Sequence, residues 1–371
     1  MNHNKKILMI FIEPTPYIMD LLTYGFSDYK KQLDIIFLSE NLTQQWDLAS
    51  SVIQFSILQS KRKLISLLVS IFFQRKYKLI HIAGWSRFFT LFLILISRFF
   101  FLPITVETDT PLNFSIPLWK KTIKKLLYPA LFRFPAFFLP GGKRQAGYLH
   151  YYGVSNQKII HAQMTVDVER IKKYIDHLDL LDREKLRTQH GAQKEAVIFL
   201  YVGRLLDWKG IRELMAATQL LDDKVATLWI VGDGELADEV KLAALQCKQI
   251  NYLGRVSGEF LWRIYNAADV FVLPSHWEPW GLVVNEAMAA GKPLIVSRTV
   301  GCIDDLVFEH REGLIVEPKE VASLYNAMDF MLKNPEKRIM MASNASNLIA
   351  GWTLKNEANN MMTAWKKVLH D

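Results

Sequence analysis

Short apolar runs alternate with helical segments along the first half of the chain. The runs ILMIFI, LDIIFL and KLIHIA begin at residues 7, 33 and 78, and a helical pattern covers residues 18–26 between the first two. Continuously apolar runs of this length are typical of strands buried inside a parallel sheet. Because strands and helices alternate, the pattern predicts an α/β fold in which helices cover both faces of a parallel sheet.

A polar segment divides this pattern into two parts. Residues 170–194 are polar and charged, and the alternation resumes with the strand AVIFLYVG at residues 196–203. A chain of 371 residues is also longer than one ordinary domain. We therefore predict a first domain over residues 1–168, a linker over 169–194, a second domain over 195–350 and a terminal helix over 351–371.

Residues 87–102, RFFTLFLILISRFFFL, form the most apolar run of the chain. A membrane-spanning helix needs about 20 apolar residues, whereas this run is only sixteen residues long and has Arg98 inside it. We interpret it as a core-facing or interfacial helix. The neighbouring segments interleave basic residues with large apolar ones, so residues 61–133 are predicted to bind an anionic membrane surface. The alternative is an ordinary solvated helix face packed on a core.

The net charge of +8 is unevenly distributed along the chain. Residues 50–146 carry fifteen Lys or Arg side chains and only two acidic ones, Glu107 and Asp109, so this stretch is +13 and the remainder is −5. The first half is therefore predicted to bind a negatively charged partner. Nucleic acid is the rival to lipid, but no helix-turn-helix, zinc-finger or RNP-type pattern accompanies the charge, and we predict no nucleic acid partner.

The cysteines and the N-terminal residues bear on the compartment. Cys247 and Cys302 lie far apart and form no CxxC pattern, which favours a reducing compartment and argues against a structural metal. Glu13 and Pro14 interrupt the first apolar run too early for a secretory signal sequence. The predicted location is the cytoplasm.

The segment FVLPSHWEPWGLVVNEAMAAGKPLI, residues 271–295, carries the chemistry on which the functional prediction depends. Its pattern is a strand, a loop that holds Glu278, and a helix that begins at Gly281-Leu282 and holds Glu286. The backbone N–H groups at the start of a helix suit a phosphate, and ionised carboxylates accept hydrogen bonds from hydroxyl groups. The pattern therefore predicts a site for an anion with a polyhydroxyl group attached.

This segment resembles the EX7E region of the retaining glycosyltransferases of family 4, which have the GT-B fold. The resemblance implies two Rossmann-like domains with parallel sheets facing across a cleft, and a C-terminal helix that crosses back to the first domain. It also implies that Glu286 binds the ribose hydroxyls of a nucleotide sugar and that Glu278 binds the sugar hydroxyls. Backbone groups of four consecutive residues would contact the phosphates: Trp280, Gly281, Leu282 and Val283.

Two cations follow the strand at residues 196–203. Arg204 and Lys209 precede a helix, and two cations at a helix N-terminus suit the charge that grows on a departing diphosphate. They match the GR…KG motif of the same family, which assigns both to diphosphate binding and catalysis. The glycine turn at Gly232 lets backbone approach a ligand, although a plain tight turn explains it equally well. The resemblance places Arg255 beside the nucleobase.

The candidates for acceptor binding lie in the first domain. The strand PITVETDTP ends at Asp109, where family members frequently have a histidine close to the transferred sugar. The carboxylate of Asp109 can position a hydroxyl group or act as a base, and Glu107 competes for this role. His81 ends the strand KLIHIA at the sheet edge where α/β proteins bind ligands, with a structural histidine as the competing interpretation. Lys143, after a glycine turn, completes the predicted acceptor site.

Together with the family resemblance, these residues predict a glycosyltransferase that moves a sugar from a UDP or GDP sugar to a lipid-linked glycan, and the resemblance implies retention of configuration. The expected setting is lipopolysaccharide, O-antigen, capsule or exopolysaccharide synthesis, by a peripheral enzyme on the cytoplasmic face of the cell membrane. Because Arg204 and Lys209 would do the work of a metal ion, we predict no metal and no cofactor. The acidic residues Asp233 and Asp304-Asp305 are interpreted as a turn residue and a helix start.

Three other classes of protein compete with this prediction. A GT-B sugar-nucleotide epimerase would share the nucleotide-binding half and need no lipid acceptor. A dinucleotide-binding oxidoreductase needs GxGxxG directly after its first strand, where this chain has Glu13-Pro14-Thr15-Pro16. A non-catalytic membrane adaptor would keep its biological function after mutation of Glu278 and Lys209.

Overall fold

The structure, a computed structural model, describes residues 5–40, 54–58, 60–112 and 117–370. Residues 113–116, which belong to the predicted membrane-binding stretch 61–133, lie outside the described residues. The chain forms two compact units. The first consists of Met1–Asp167 with Thr353–Asp371, and the second of Val168–Trp352.

In the described part of the first unit, six parallel strands build the sheet. They are β1 Lys6–Phe11, β2 Leu33–Phe37, β3 Ser56–Ile57, β4 Tyr77–Ala83, β5 Ile104–Thr108 and β6 Phe137–Pro140. Their spatial order is β3-β2-β1-β4-β5-β6, and every neighbouring pair is parallel. In β1, Met9 and Phe11 belong to the apolar cluster on one face and Leu8 and Ile10 to the cluster on the other. Burial on both faces explains why this run is continuously apolar.

Helices cover both faces of this sheet. They are α1 Pro16–Asp20 with a π-helical continuation Leu21–Gly25, α2 Lys61–Leu68 with a π-helical continuation Val69–Phe73, α3 Phe88–Ser97, α4 Leu118–Leu131 and α5 Lys143–Tyr151. The α1 segment packs on one face through Met19. On the other face lie α2, α3 and α5, which bury Leu67, Leu93 and Leu149. The predicted parallel sheet with helices on both sides is therefore confirmed for this unit.

Helix α4 differs from its neighbours because none of its side chains is fully buried. Its large apolar residues Trp119, Ile123, Leu126 and Leu127 have exposed fractions of 61%, 47%, 74% and 61%. They recur at the i, i+4, i+7 and i+8 spacing that places residues on one side of a helix. Four lysines, at positions 120, 121, 124 and 125, belong to the same helix.

The apolar run at residues 87–102 forms α3 and a short 3₁₀ turn, Arg98–Phe100. Leu93 and Ile94 are buried in the core, whereas Phe88 and Phe99 are exposed by 85% and 79%. This two-sided helix fits the interpretation of a core-facing or interfacial element. Among the helices that the structure describes, none is both long and apolar enough to cross a membrane.

The second unit also contains six parallel strands. They are β7 Val197–Val202, β8 Ala226–Val231, β9 Ile250–Gly254, β10 Val270–Leu273, β11 Leu294–Ser297 and β12 Gly313–Val316. Their order is β12-β11-β10-β7-β8-β9. Strands β7 and β10 are direct neighbours at the centre. The loops that follow them therefore start side by side at the carboxyl edge of the sheet, where open α/β sheets bind ligands.

The segment predicted to be a linker, residues 169–194, instead forms two helices of the second unit, α6 Val168–Asp176 and α7 Leu180–Gln189. Although this segment is mostly polar, some of its residues make strong contacts with the rest of the second unit. Leu186 is buried, and Arg187 donates hydrogen bonds to Asp269 at 2.8 Å and to the carbonyl of Ala196 at 2.5 Å. Because the anchoring residues have no distinctive spacing in the sequence, composition alone does not reveal these helices.

The remaining helices of the second unit flank its sheet. They are α8 Ile211–Gln219, α9 Ala237–Gln246, α10 Gly258–Ala267, α11 Leu282–Ala289, α12 Ile303–Leu306, α13 Val321–Lys333 and α14 Pro335–Ile349. The final helix, α15 Leu354–His370, returns to the first unit, as predicted. There Trp365 stacks on Phe26 with ring centroids 5.4 Å apart and donates a hydrogen bond to Thr105 at 3.2 Å.

Candidate active site

Two loops at the centre of the second sheet carry most of the predicted donor-binding residues. The loop after β7 contains Arg204 and Lys209, and the loop after β10 contains Glu278. The backbone N–H of His276 donates to the carbonyl of Trp208 at 2.8 Å, so the loops are joined. Gly210 has φ +72°, and a Cβ there would overlap the carbonyl oxygen of Pro274. Only glycine allows the two backbones to approach so closely.

This approach brings Lys209 and Glu278 into an ion pair. Their side chains are exposed by only 11% and 16%, so both charges are largely withdrawn from water. Arg204 is exposed on the same loop, and its backbone carbonyl accepts a hydrogen bond from the hydroxyl of the buried Tyr201 at 2.9 Å. Burial and the negative charge of Glu278 raise the pKa of Tyr201 well above its usual value, and the positive charge of Arg204 opposes this. The structure therefore groups the two predicted cations with the first predicted carboxylate.

The loop after β10 is fixed against the segment that follows β11. The N–H of Gly301 donates to the carbonyl of Glu278, and the N–H of Cys302 donates to the carbonyl of Trp280, both at 3.0 Å. The indole of Trp280, only 2% exposed, donates to Asn285 at 3.1 Å. These bonds hold Glu278 and the beginning of α11 in a rigid frame.

Helix α11 begins directly after this loop. Gly281 precedes it in a left-handed conformation, φ +100°, and a Cβ there would lie 2.9 Å from Cγ1 of Val300. Leu282 and Val283 form the first turn, whose backbone N–H groups have no carbonyl partner within the helix itself. An anion placed before this turn would be stabilised by those groups and by the helix dipole. The predicted phosphate-binding residues therefore stand at a helix start, as expected.

Glu286 occupies the second turn of α11 and is partly buried. Burial raises its pKa to about 7, and a hydrogen bond from the hydroxyl of Tyr265, with 2.9 Å between the oxygens, acts in the opposite direction. The carboxylate is thus close to its protonation midpoint at neutral pH. When this group ionises, both of its oxygens become acceptors only, which suits a ligand with hydroxyl donors.

Two further predicted donor residues lie on other loops of the same edge. Gly232 follows β8 and has φ +146°, and a Cβ there would overlap the carbonyl oxygen of Gly203. The backbones of the loops after β8 and β7 are therefore in direct contact. Arg255 follows β9, the edge strand, and is exposed. The sheet thus places Gly232 next to the cation loop and Arg255 one strand further away.

Sequence reasoning missed two groups that hold this site in place. Tyr265 lies on α10, and no feature of the sequence distinguishes it from the other apolar residues of that helix. His276 lies with Nε2 2.9 Å from Oε1 of Glu213, in the first turn of α8, and so links the loop after β10 to the helix that follows the loop after β7. The position of Glu213 three residues after Gly210 is the one signal that could have suggested it.

The first unit places the four acceptor candidates differently. His81 is fully buried, with Nδ1 3.0 Å from Oγ1 of Thr105 and Nε2 3.4 Å from Oε2 of Glu107. Glu107 and Asp109 line a cavity of about 770 Å³, and His81 is not part of its wall. Lys143, exposed at the start of α5, also lies outside that wall. The structure thus groups Glu107 with Asp109 and gives His81 a supporting position behind Glu107.

The cavity belongs entirely to the first unit. Its sheet side is formed by residues at the carboxyl ends of β1, β4 and β5, including Glu13. Its helix side is formed by apolar residues of α3 and α4, among them Leu95 and Leu127. As for metal binding, the described part of the chain contains no group of three or more His, Cys, Asp or Glu side chains placed to hold an ion.

Comparison with known proteins supports the general prediction of a glycosyltransferase. Residues 182–348 match the family described as Glycosyl transferases group 1. An uncharacterized glycosyltransferase of Methanocaldococcus jannaschii is 34% identical over 168 residues, which cover 44% of this chain and 43% of that protein. The N,N'-diacetylbacillosaminyl-diphospho-undecaprenol alpha-1,3-N-acetylgalactosaminyltransferase of Campylobacter jejuni is 26% identical over 59% of this chain and 57% of its own length. The chain thus spans about half the length of these relatives.

A solved structure extends the comparison to the whole chain. Anabaena HepE in complex with UDP has a TM-score of 0.78 and 19% sequence identity, covering 98% of this chain and all of HepE. This similarity shows the fold, and the predicted GT-B architecture is confirmed. The predicted enzyme class is supported by the domain at residues 182–348, which contains Arg204, Lys209, Glu278 and Glu286.

Proposed function

We propose that this protein transfers a sugar from a nucleoside diphosphate sugar, with retention of anomeric configuration, to a lipid-linked glycan acceptor. The observation that carries the proposal is the grouping of Arg204, Lys209 and Glu278 on joined loops, with Glu286 on the adjoining helix, inside the matched domain. Cations and a helix start suit a diphosphate, and carboxylates suit hydroxyl groups. One connected site thus offers the contacts that both halves of the donor need.

In this proposal the donor binds to the second unit. Its diphosphate lies against Lys209, Arg204 and the first turn of α11, where positive charge stabilises the leaving group as the bond to the sugar breaks. Glu286 accepts hydrogen bonds from the ribose, and Glu278 from the sugar. The ion pair with Lys209 keeps Glu278 oriented before the donor arrives. No metal ion is required in this scheme, since the two cations balance the growing charge.

The proposed acceptor is a glycan carried on a lipid, used in the synthesis of a surface polysaccharide. The Campylobacter relative, by its name, transfers a sugar to such an undecaprenol-linked acceptor. In this chain, the exposed apolar side of α4, interspersed with lysines, suits the interface of an anionic membrane. We therefore propose a peripheral enzyme that works on the inner face of the cell membrane.

The donor half of the proposal is tested by thermal shift with UDP, GDP, ADP and dTDP, followed by the corresponding sugar nucleotides. A bound nucleotide at 100 times its Kd stabilises the folded state by about 2.7 kcal/mol. Wild type should respond to one base above the others, and Arg204→Met should respond much less. Arg212→Met, which alters an exposed arginine two residues after Gly210, serves as the control. Equal responses of both variants would contradict the assignment of Arg204.

The membrane half is tested by flotation with vesicles of neutral or anionic lipid at physiological salt. Wild type should float with anionic vesicles, and Trp119→Asp/Leu126→Asp should remain in the lower fraction because the apolar side of α4 is interrupted. Leu242→Asp/Leu245→Asp changes two exposed leucines of α9, in the second unit, as a control. Wild-type flotation with neutral vesicles alone would refute the electrostatic part of the proposal. Equal loss in both double variants would refute the role of α4.

A further inference from the structure

Lys292 joins the ends of two helices of the second unit. Its backbone N–H donates to the carbonyl of Ala287 at 2.9 Å, and the N–H of Gly291 donates to the carbonyl of Met288 at 2.9 Å. Gly291 is in the left-handed conformation, with φ +67°. These two bonds and a left-handed glycine form a Schellman motif, a common way to end a helix. The backbone of Lys292 is therefore fixed to the end of α11.

The side chain of Lys292 extends to the end of α10. Its Nζ donates to the carbonyls of Asn266 and Ala268, each at 3.0 Å. The last carbonyls of a helix have no partner within it, and the helix dipole favours a cation beside them. Burial lowers the pKa of Lys292 to about 8, so the amine still carries its proton at neutral pH. Its hydrogen bonds are therefore charge-assisted, which strengthens them.

The end of α10 is anchored independently of Lys292. Arg187 of α7 donates to the carbonyl of Ala267 at 3.0 Å and to the carboxylate of Asp269 at 2.8 Å. Asp269 also accepts a hydrogen bond from the N–H of Ile198 in β7 at 2.8 Å. The end of α10 is thus fixed to α7 and to a central strand of the sheet. Lys292 attaches α11 to this fixed point.

This attachment lies beside the contact that holds Glu286. Tyr265 directly precedes Asn266 in α10, and its hydroxyl donates to Glu286 of α11 at 2.9 Å. The two helices are therefore joined at two neighbouring points, by Lys292 at their ends and by Tyr265 with Glu286 further inside. An O–H···O hydrogen bond needs its oxygens within about 3.0 Å of each other. A small shift of α11 against α10 would therefore break the contact of Tyr265 with Glu286.

We infer that Lys292 is a positioning residue for Glu286, because it clamps the end of α11 to the end of α10 and so keeps Tyr265 within hydrogen-bonding distance of the carboxylate. Lys292 precedes β11 and lies at the edge where the strands begin, whereas the donor loops lie at the edge where they end. It therefore acts on the nucleotide through Glu286 and not by contact. The inference rests on the proposed function in taking Glu286 as a contact of the nucleotide.

The test is isothermal titration calorimetry of the full chain at pH 7 with UDP, GDP, ADP and dTDP, each titrated separately. Lys292→Met keeps the length of the side chain and removes its donors, so the affinity for the bound nucleotide should fall about tenfold, the loss expected for hydrogen bonds of a charged group. Lys292→Arg retains a cation with donors and should keep most of the affinity.

Lys158→Met is the matched control. The Nζ of Lys158 also donates to two backbone carbonyls, those of Arg133 and Pro135 at 3.0 and 2.9 Å, but it does so after the end of α4 in the first unit. Burial lowers the pKa of Lys158 as well. This variant removes the same kind of clamp far from Glu286 in the sequence, so it should leave nucleotide affinity unchanged.

A double-mutant cycle separates positioning from a general loss of stability or of positive charge. In Tyr265→Phe the contact with Glu286 is already absent, so adding Lys292→Met should weaken nucleotide binding by much less than about tenfold. A loss of charge or a general loosening would act independently, and the two effects would multiply. Melting without nucleotide verifies that each variant is folded. If Lys292→Met does not fold, Lys292→Gln replaces it, with a smaller expected loss because its amide retains a neutral donor.

Three results would overturn the inference: a folded Lys292→Met or Lys292→Gln with the affinity of wild type, an equal loss in Lys158→Met, or effects that multiply in the double variant. Each of them, with nucleotide binding by wild type, would leave the proposed donor site intact. A wild type that binds none of the four nucleotides would instead refute the donor site, and the role of Lys292 with it.

Discussion

Replacing Lys209 with Met removes the cation from the ion pair with Glu278 while preserving a long, unbranched side chain. The pair is largely buried, with exposed fractions of 11% and 16%. Breaking a buried pair leaves an uncompensated charge and costs about 3–5 kcal/mol. Since these side chains retain some access to water, we expect the lower end, about 3 kcal/mol. For a unit of roughly 150–250 residues this corresponds to a melting temperature lower by about 6–12 °C.

The double variant Lys209→Met/Glu278→Leu separates stability from function. Replacing both charges by apolar groups of similar volume is often neutral for stability, so most of the lost melting temperature should return. Nucleotide binding and sugar transfer should not return, because the diphosphate has lost its buried cation and the sugar its carboxylate. Differential scanning fluorimetry, with and without nucleotide, measures both effects.

The exposed pair between Arg212 and Asp207 provides the matched control. It lies in the same region of the second unit but is open to solvent, so Arg212→Met should change the melting temperature little. A drop of less than about 2 °C for Lys209→Met, under 1 kcal/mol for a unit of this size, would show that the pair is not withdrawn from water. Full nucleotide binding by the double variant would refute its role in holding the donor.

Three further predictions concern the same loops. Because the pKa of Glu286 is raised from 4.5 to about 7, its contribution to stability is present below pH 4.5 and lost as the pH rises through 7. The variant Glu286→Gln should therefore flatten the profile of melting temperature against pH over this window. It should also weaken the increase in nucleotide affinity through pH 7, which calorimetry measures. Tyr265→Phe removes a hydrogen-bond donor to the ionised Glu286, so the increase in nucleotide affinity should move to higher pH, and nucleotide binding at neutral pH should weaken by about 1 kcal/mol. An unchanged profile of affinity against pH would contradict the contact. Gly210→Ala should lower the melting temperature strongly, because its Cβ would meet the carbonyl of Pro274 at a positive φ; a folded, fully active variant would show that the loops are not held together there.

The strands of both sheets can be predicted from the sequence because buried parallel strands need continuous apolar runs, and β1 and β7 have such runs. The motif around Glu278 and Glu286 is equally accessible, since a strand, a loop and a helix start are local patterns. What joins them is not local. The contacts of Gly210 with Pro274 and of Tyr265 with Glu286 connect segments far apart in the chain, so only the packing of the strands reveals them.

The lack of local signals for such contacts also explains where the structure differs from the predictions made from the sequence. A polar segment looks like a linker unless the few residues that anchor it are known, and Leu186 and Arg187 have no distinctive spacing. His81 looks like a cleft residue because it ends a strand, but the indole of Trp365, from the far end of the chain, closes over it. Glu13 appeared only as an interruption of an apolar run. Its neighbours in the cavity, Glu107 and Asp109, come from a strand nearly a hundred residues later.

The return of α15 to the first unit has a consequence for biosynthesis. Trp365 and the buried Glu357, which accepts a hydrogen bond from the N–H of Thr165 at 3.3 Å, complete a core that is otherwise made from residues 5–167. Residues 354–370 must therefore be synthesised before that core can close. The second unit, whose residues are contiguous in the chain, can finish folding earlier, whereas the core of the first unit stays incomplete until α15 is present.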